Sequence, residues 1–368
     1  MPRQMHGLEA GDIERRIQLL IGNLVNLKDA SGEFLLKLDD GRVIDTKGWN
    51  DWEWTHGIGL YGIRKYYELS NDPGCLEIMQ HWFRDRFRAG TPTKNVNTMA
   101  AMLTLACLYE ETRDQTYLPY LDSWCEWVMH EMPRTEEAGL QHIVFNAENY
   151  QQLWDDTLMM TVLPLTKIGV LLNRPAYIDE AKRQFLVHIK YLCDRRTGLW
   201  FHGWTFDGRH NFAEALWARG NCWVTIAIPE FIELLDLQPG NALREFLVAT
   251  LRAQVEALVR HQDTSGLWHT LIVDPDSYLE ASATAGFAYG ILKAVRKRYL
   301  PQQFEAIGLR AASGVLANIG ADGELRNVSF GTAMGNDLDF YKKIPLTSMP
   351  YGQALAILAL SELLRKFI

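Results

Sequence analysis

No run of apolar residues in this chain approaches the roughly 20 that a helix needs to cross a bilayer, so no membrane partner is expected. The opening Met1-Pro-Arg-Gln-Met-His-Gly7 is polar and lacks the apolar stretch of a secretory signal, which points to a cytoplasmic setting. Cysteine is sparse: five in 368 residues, at 75, 107, 125, 193 and 222, none in a CxxC pair. Reduced core thiols fit that pattern and a structural zinc site does not. Positive charge is in deficit, with 37 Lys and Arg against 45 Asp and Glu and no basic stripe, so nucleic acid is not an expected partner. HExxH, GxGxxG and P-loop patterns are absent, and the histidines do not stand at ligand spacing with carboxylates. No metal, nucleotide or other cofactor is therefore expected. Alternating strand patterns are short and few, in Glu33-Phe-Leu-Leu-Lys-Leu38 and Thr270-Leu-Ile-Val273.

What the chain has in abundance is helical periodicity. It predicts helices near 11–28, 55–69, 73–88, 97–112, 116–131, 152–171, 176–193, 212–236, 241–260, 282–297, 302–318 and 350–366, an all-α protein. An internal repeat gives these helices an order. Asp194-Arg-Arg-Thr-Gly-Leu-Trp200 and Asp263-Thr-Ser-Gly-Leu-Trp268 share one pattern after a helix, with weaker copies at Asp29–Phe34, Glu137–Gln141 and Ala321–Leu325. Their glycines, 32, 139, 198, 266 and 323, are spaced by 107, 59, 68 and 57 residues. The first gap leaves room for a further copy near Arg88-Ala-Gly-Thr91. A glycine turn after a helix is ordinary capping; its regular phase is what carries information. Six units of roughly 55–65 residues, each helix–turn–helix, close into an (α/α)6 barrel. No linker divides it, so residues 1–368 read as one domain.

This phase puts six long loops, and the starts of the helices after them, on one rim. There it gathers Trp49, Trp52, Glu53, Trp54 and His56; Lys94-Asn-Val-Asn97; His142, Asn146, Trp154, Asp155 and Asp156; His202, Trp204, Arg209, His210, Trp217, Arg219 and Trp223; Trp268, His269 and Ser282–Thr284; and Gly331–Gly335 with Tyr341. A bowl of Trp, His and Asn suits a sugar, whose C–H faces stack on aromatic rings while polar tips fix its hydroxyls. Each residue has a plainer alternative: Trp223 and Trp127 as core, His188 and His261 as ordinary helix surface. Arg219, between two aromatics, is suited to hold a carboxylate in a bidentate grip, which points to a uronate; an Arg packed over Trp is the alternative.

The rim centres on Trp154-Asp155-Asp156-Thr157-Leu158-Met159-Met160, read as the head of an apolar helix. Neighbouring helical positions diverge by about 100°, so the two acids are not expected to share one task. Asp156 is expected to face inward and Asp155 elsewhere, although both could simply complement the helix dipole. Ordinary glycosidases set two carboxylates roughly 5–10 Å apart. Asp156 has no evident partner here; Glu53 is a candidate, and the 94–97 segment carries Asn. One acid is enough if the sugar already has a C4=C5 double bond. Protonating C4 leaves an oxocarbenium-like C5 for water to capture, and the hemiketal then opens and expels the aglycone.

With these residues in view, the chain resembles the unsaturated rhamnogalacturonyl hydrolases of glycoside hydrolase family 105. The likeness spans nearly all of it and rests on Lys94-Asn-Val-Asn-Thr98, Trp154–Met160, Gly198-Leu-Trp-Phe-His-Gly-Trp204, Trp217-Ala-Arg-Gly-Asn-Cys-Trp223, Ser282-Ala-Thr-Ala285 and Tyr351-Gly-Gln-Ala354. The resemblance implies an (α/α)6 barrel that removes unsaturated galacturonate from rhamnogalacturonan fragments of pectin, with Asp156 as general acid/base. It implies substrate contacts from Trp54, Asn97, His142, Trp154, Met160, His202, Trp217, Arg219 and Trp223. Relatives often carry a second carboxylate near Asn97, so its replacement by Asn favours the single-acid scheme. The expected partner is a small unsaturated uronic-acid disaccharide or oligosaccharide, bound by a monomer or weak homodimer. Alternatives are an unsaturated glucuronyl hydrolase acting on glycosaminoglycan-type fragments, a sugar epimerase on the same barrel using paired histidines, and a non-catalytic sugar-binding toroid.

Overall fold

Two kinds of helix alternate in the computed structural model, which describes residues 4–5, 8–38 and 41–367. Within the polar opening stretch, Met1–Arg3, His6 and Gly7 lie outside the described residues. One kind buries a single stripe. In α1 (Ala10–Asn26) the stripe is Ile13, Ile17, Leu20, Ile21 and Leu24, the three- and four-residue spacing of an amphipathic helix. The other kind is buried all round, as α2 (Trp54–Ser70) is from Thr55 to Arg64. The alternation continues through α3 (Pro73–Ala89), the short α4 (Val96–Met99) leading into α5 (Ala101–Thr112), α6 (Leu118–His130), α7 (Leu163–Leu171) and α8 (Pro175–Leu192). It runs on through α9 (Ala218–Leu234), α10 (Ala242–His261), α11 (Ala281–Arg296) and α12 (Glu305–Ala317). After the short α13 (Leu338–Lys342) comes α14 (Pro350–Leu364), buried at every position.

Contacts between helices explain the alternation. α2, α5, α7, α9, α11 and α14 touch in that order and α14 returns to α2, so the fully buried helices form a closed inner ring. The striped helices α3, α6, α8, α10 and α12 pack outside α2, α5, α7, α9 and α11, and α1 packs outside α14. This is the (α/α)6 barrel expected from the repeat. The glycine turns set its phase: at Gly198, Gly266 and Gly323, φ is 86°, 87° and 80°. A Cβ on any of them would come within 2.5 Å of backbone in the next outer helix, at Ala253, Arg310 and Leu19. Each turn therefore docks on its neighbour, and the last docks on α1 and closes the circle. The copy at 137–141 is shifted by one residue, because Ala138 (φ 58°) rather than Gly139 takes the left-handed conformation.

Two predicted helices start late. In place of a helix from 152, Gln152–Trp154 is a strand paired antiparallel with Gly203–Thr205. A turn follows, then a wide π turn over Leu158–Val162 just before Pro164, which has no N–H to continue the ordinary pattern. In place of a helix from 212, the chain stays irregular until Ala218, held by a Trp217–Leu271 bridge. Among the described residues no helix is long and apolar enough to cross a membrane.

Candidate active site

All six inner helices begin at the same end, where the long loops converge on a cavity of about 440 Å³. Of the ten residues singled out in the sequence, Trp54, Asn97, His142, Trp154, Asp156, Met160 and Trp217 line it. His202, Arg219 and Trp223 do not; they sit directly behind the lining.

The strand pair builds the centre. It sets His202 beside Asp155, whose backbone N–H donates to the His202 carbonyl at 3.1 Å. Trp154 is sandwiched between two imidazoles: His142 stacks on it at 4.1 Å and 7°, and His202 meets it edge-on at 5.2 Å. Both imidazoles are anchored from behind. His142 Nδ1 is 2.9 Å from Thr157 Oγ1, and His202 Nδ1 is 2.8 Å from the Tyr341 hydroxyl. Burial, with His202 adding to it against the Asp156 charge, pushes His142 down to about 3 and keeps it neutral. His202 Nε2 lies 3.4 Å from Asp156 Oδ2. Burial alone would raise Asp156, but the neighbouring His202 outweighs it and holds the carboxyl near 2.

Asp155 does not face away as the helical reading expected. It is 0 % exposed, because the segment enters from a strand and a turn and the 100° helical divergence does not apply. Among the described residues no hydrogen bond of good geometry reaches either of its carboxyl oxygens. Burial and the Asp156 charge push it well above the usual carboxylate range. Asp155, Asp156 and His202 each offer an atom within 4.8 Å of the others, a gathering that linear spacing does not reveal.

Arg219 also departs from expectation. Its guanidinium lies 4.7 Å over the Trp217 ring and 4.9 Å over Tyr351. It donates to the carbonyls of Ser329 (3.0 Å) and Phe330 (2.8 Å), to Thr332 Oγ1 (2.8 Å) and to the Ser329 hydroxyl. With those donors engaged, the side chain supports the cavity wall Phe330–Met334 from beneath and does not open onto the cavity. Glu280, capping α11, receives the Ser329 N–H at 2.9 Å and fixes the same wall. Trp223 is fully buried, edge-on behind Trp54 at 6.0 Å, while Trp54 stacks on Tyr351 at 4.5 Å.

A second carboxyl reaches the cavity from Glu53, the N-cap of α2. Its Oε1 accepts from Asn97 Nδ2 at 3.0 Å and its Oε2 from the Trp54 N–H at 2.6 Å. Burial nonetheless raises it to about 8. His188, expected on a helix surface, is fully buried and lowered to about 4 by that burial. The five cysteines are all unpaired.

The model of Glycosyl Hydrolase Family 88 matches residues 26–367. The chain belongs to this family. Among family relatives, unsaturated rhamnogalacturonyl hydrolase YesR of Bacillus subtilis is 33% identical over 320 residues, covering 85% of this chain and 90% of that protein. The crystal structure of a "possible member of GH105 family" from Salmonella enterica serovar Paratyphi A is 60% identical, covers 100% of this chain and 97% of its own, and superposes with a TM-score of 0.99. The unsaturated glucuronyl hydrolase of Bacillus sp. GL1 is 17% identical and shares the fold, with a TM-score of 0.71 over 95% of each chain. The family membership makes this protein a glycoside hydrolase.

Proposed function

We propose that this hydrolase removes the terminal 4,5-unsaturated galacturonosyl residue from rhamnogalacturonan oligosaccharides, with Asp156 as the acid that starts the reaction. The observation that carries the reading is the placement of Asp156: a carboxyl at the cavity floor, between aromatic walls and against two imidazoles. Trp54, Trp154 and Trp217 supply ring faces for a sugar, Asn97 and His142 supply polar tips, and Met160 fills the floor. Six inner helices direct their positive ends at the cavity, which favours an anionic sugar. His202, Arg219 and Trp223 serve as supports from behind.

In this scheme Asp156 gives its proton to C4 of the C4=C5 bond, and positive charge develops at C5 and the ring oxygen. Water adds its hydroxyl to C5 and returns a proton to Asp156. The hemiketal opens as its C5–O bond breaks. The hemiacetal left at C1 then collapses to an aldehyde and releases the aglycone as an alcohol. One water is consumed and no cofactor takes part. The reading places the enzyme in the cytoplasm, as a monomer or weak homodimer acting on short fragments; the five unpaired cysteines support a reducing compartment.

The test mixes the protein with a rhamnogalacturonan lyase digest and follows the ultraviolet band of the conjugated enol-ether acid. The band should fall, and Asp156→Asn should slow its loss by about 10²–10⁴-fold. A stable band with the pectin digest, but decay with a glycosaminoglycan lyase digest, would move the substrate to unsaturated glucuronides. Activity retained in Asp156→Asn would sink the assignment of the acid.

A further inference from the structure

We propose that Asp155 is the positioning residue that stores the reaction's proton: a carboxylic acid sealed behind Asp156 that shares one proton with it and hands it forward. The inference rests on the role given above to Asp156, and its argument begins with space. Gly220, in the first turn of α9, leaves a gap that the Asp155 carboxyl fills. A Cβ at 220 would stand 2.3 Å from Asp155 Oδ2. The fold thus accommodates an acid in a place where any side chain at 220 would displace it.

The second part is charge. A fully buried carboxylate needs a cation, several donors or a proton. Arg219 is adjacent in sequence to the glycine that touches Asp155, yet both its terminal nitrogens donate to Ser329, Phe330 and Thr332. Among the described residues no hydrogen bond of good geometry reaches either Asp155 oxygen or Asp156 Oδ2, although His202 Nε2 lies 3.4 Å from the latter. Two carboxyls this close resist ionising together, and one shared proton relieves them most simply. The directions of their shifts, Asp155 up and Asp156 down, agree with a proton resting on Asp155. The groups facing the pair are His202 and His142, Cys222 of α9, and Tyr341 of α13.

This arrangement resolves a conflict in the site. A carboxyl held near 2 by His202 is a poor reservoir of protons at neutral pH. With Asp155 behind it, the pair still holds one. That proton passes from Asp155 to Asp156 and on from Asp156 to C4, and the proton lost by the attacking water restores the pair. Nothing is oxidised or reduced, and the pair ends as it began.

The test compares Asp155→Asn with the wild type across pH. Asparagine keeps the shape but has no proton to hand over. We expect kcat to fall about 10- to 100-fold with little change in KM. The alkaline limb of the kcat–pH profile should move to lower pH by at least about one unit, because Asp156 then titrates alone. A folded Asp155→Asn with an unchanged profile would overturn the inference, and if Asp156→Asn were dead in the same assay the functional reading would stand. Should Asp155→Asn fail to fold, wild-type protein labelled with ¹³C-aspartate can be read by infrared spectroscopy at neutral pH. A protonated aspartate band is expected, the label separating it from Glu53, and its absence would equally overturn the proposal. So would activity lost to a chelator and restored by a divalent cation, since the pair would then share an ion.

Discussion

Glu230, near the C-terminal end of α9, is buried as deeply as Asp155, which packs against the start of the same helix. Their surroundings are opposite. Lys293 reaches the Glu230 carboxyl at 2.5 Å, Lys65 lies at 3.5 Å, and the Tyr289 hydroxyl donates to it as well. Burial would raise Glu230, but the two ammonium groups outweigh it and hold the carboxyl well below its usual range. Glu233, bridged to Lys293 and Lys297, is held near 2 in the same manner. Helix polarity contributes to the contrast. The cations lie toward the negative C-terminal ends of α2 and α11, while Glu53 and Glu280 cap the positive starts of those helices. One end of the barrel binds its charges in fixed pairs. The other withholds cations from Asp155 and Glu53, so these acids keep protons at a pH where ordinary carboxyls have lost them. A barrel built this way concentrates proton chemistry at one mouth and closes the other with salt bridges.

Lys293→Met would break that contrast most severely. It leaves the buried Glu230 and the half-buried Glu233 short of a partner, and removal of one member of a buried pair typically costs about 3–5 kcal/mol. Urea unfolding should show a loss of that size, while kcat at moderate temperature stays within about twofold because the cavity does not use the network. A comparable fall in kcat in folded enzyme would mean that the two ends are coupled. The next effect belongs to the site end. Arg219→Met removes donors from Ser329, Phe330 and Thr332, and hydrogen bonds to charged groups are worth roughly 1.5–3 kcal/mol. We expect the ligand-free protein to lose about 2–3 kcal/mol and KM to rise as the wall loosens. An Arg that served only the substrate carboxylate would raise KM and leave ligand-free stability unchanged.

The ring was legible because its signals are local and repeated. Inner helices are predominantly apolar and buried on nearly every face, outer ones carry a stripe, and the glycine turns recur in phase because each must dock on the next outer helix. The aromatic content of the rim was legible for the same reason, once the phase placed six loops together. The directions of individual side chains were not. Asp155 looked like the outward member of a helical pair because the strand that turns it inward depends on pairing with Gly203–Thr205, some 50 residues away. Arg219 looked like a carboxylate clamp because its actual acceptors, Ser329 to Thr332, lie more than 100 residues on. His188 is buried beneath contacts that its own mixed helix sequence does not show. Glu53 was legible on the rim as a candidate second carboxylate, but its capping of α2 and its bond from Asn97 show only in the fold.

Glu53 offers the finest test of the contrast, because the sign of its effect is fixed. An unfolded chain releases this proton near the ordinary value of 4.5, whereas the folded protein keeps it until about pH 8. Between those limits the native state binds more protons than the unfolded state, so raising the pH erodes stability, by at most about 1.4 kcal/mol per unit for one group. Glu230 runs the other way: its lowered value gives stability that is present above the ordinary range and is lost on acidification. Glu53→Gln cannot titrate, so unfolding free energies measured from pH 5 to 8 should fall less steeply than in the wild type, by about 1 kcal/mol per unit. Parallel slopes in the two proteins would show that Glu53 is already ionised at neutral pH. The Asn97 and Trp54 donors would then be enough to hold the anion, and the site end would differ from the far end only through Asp155.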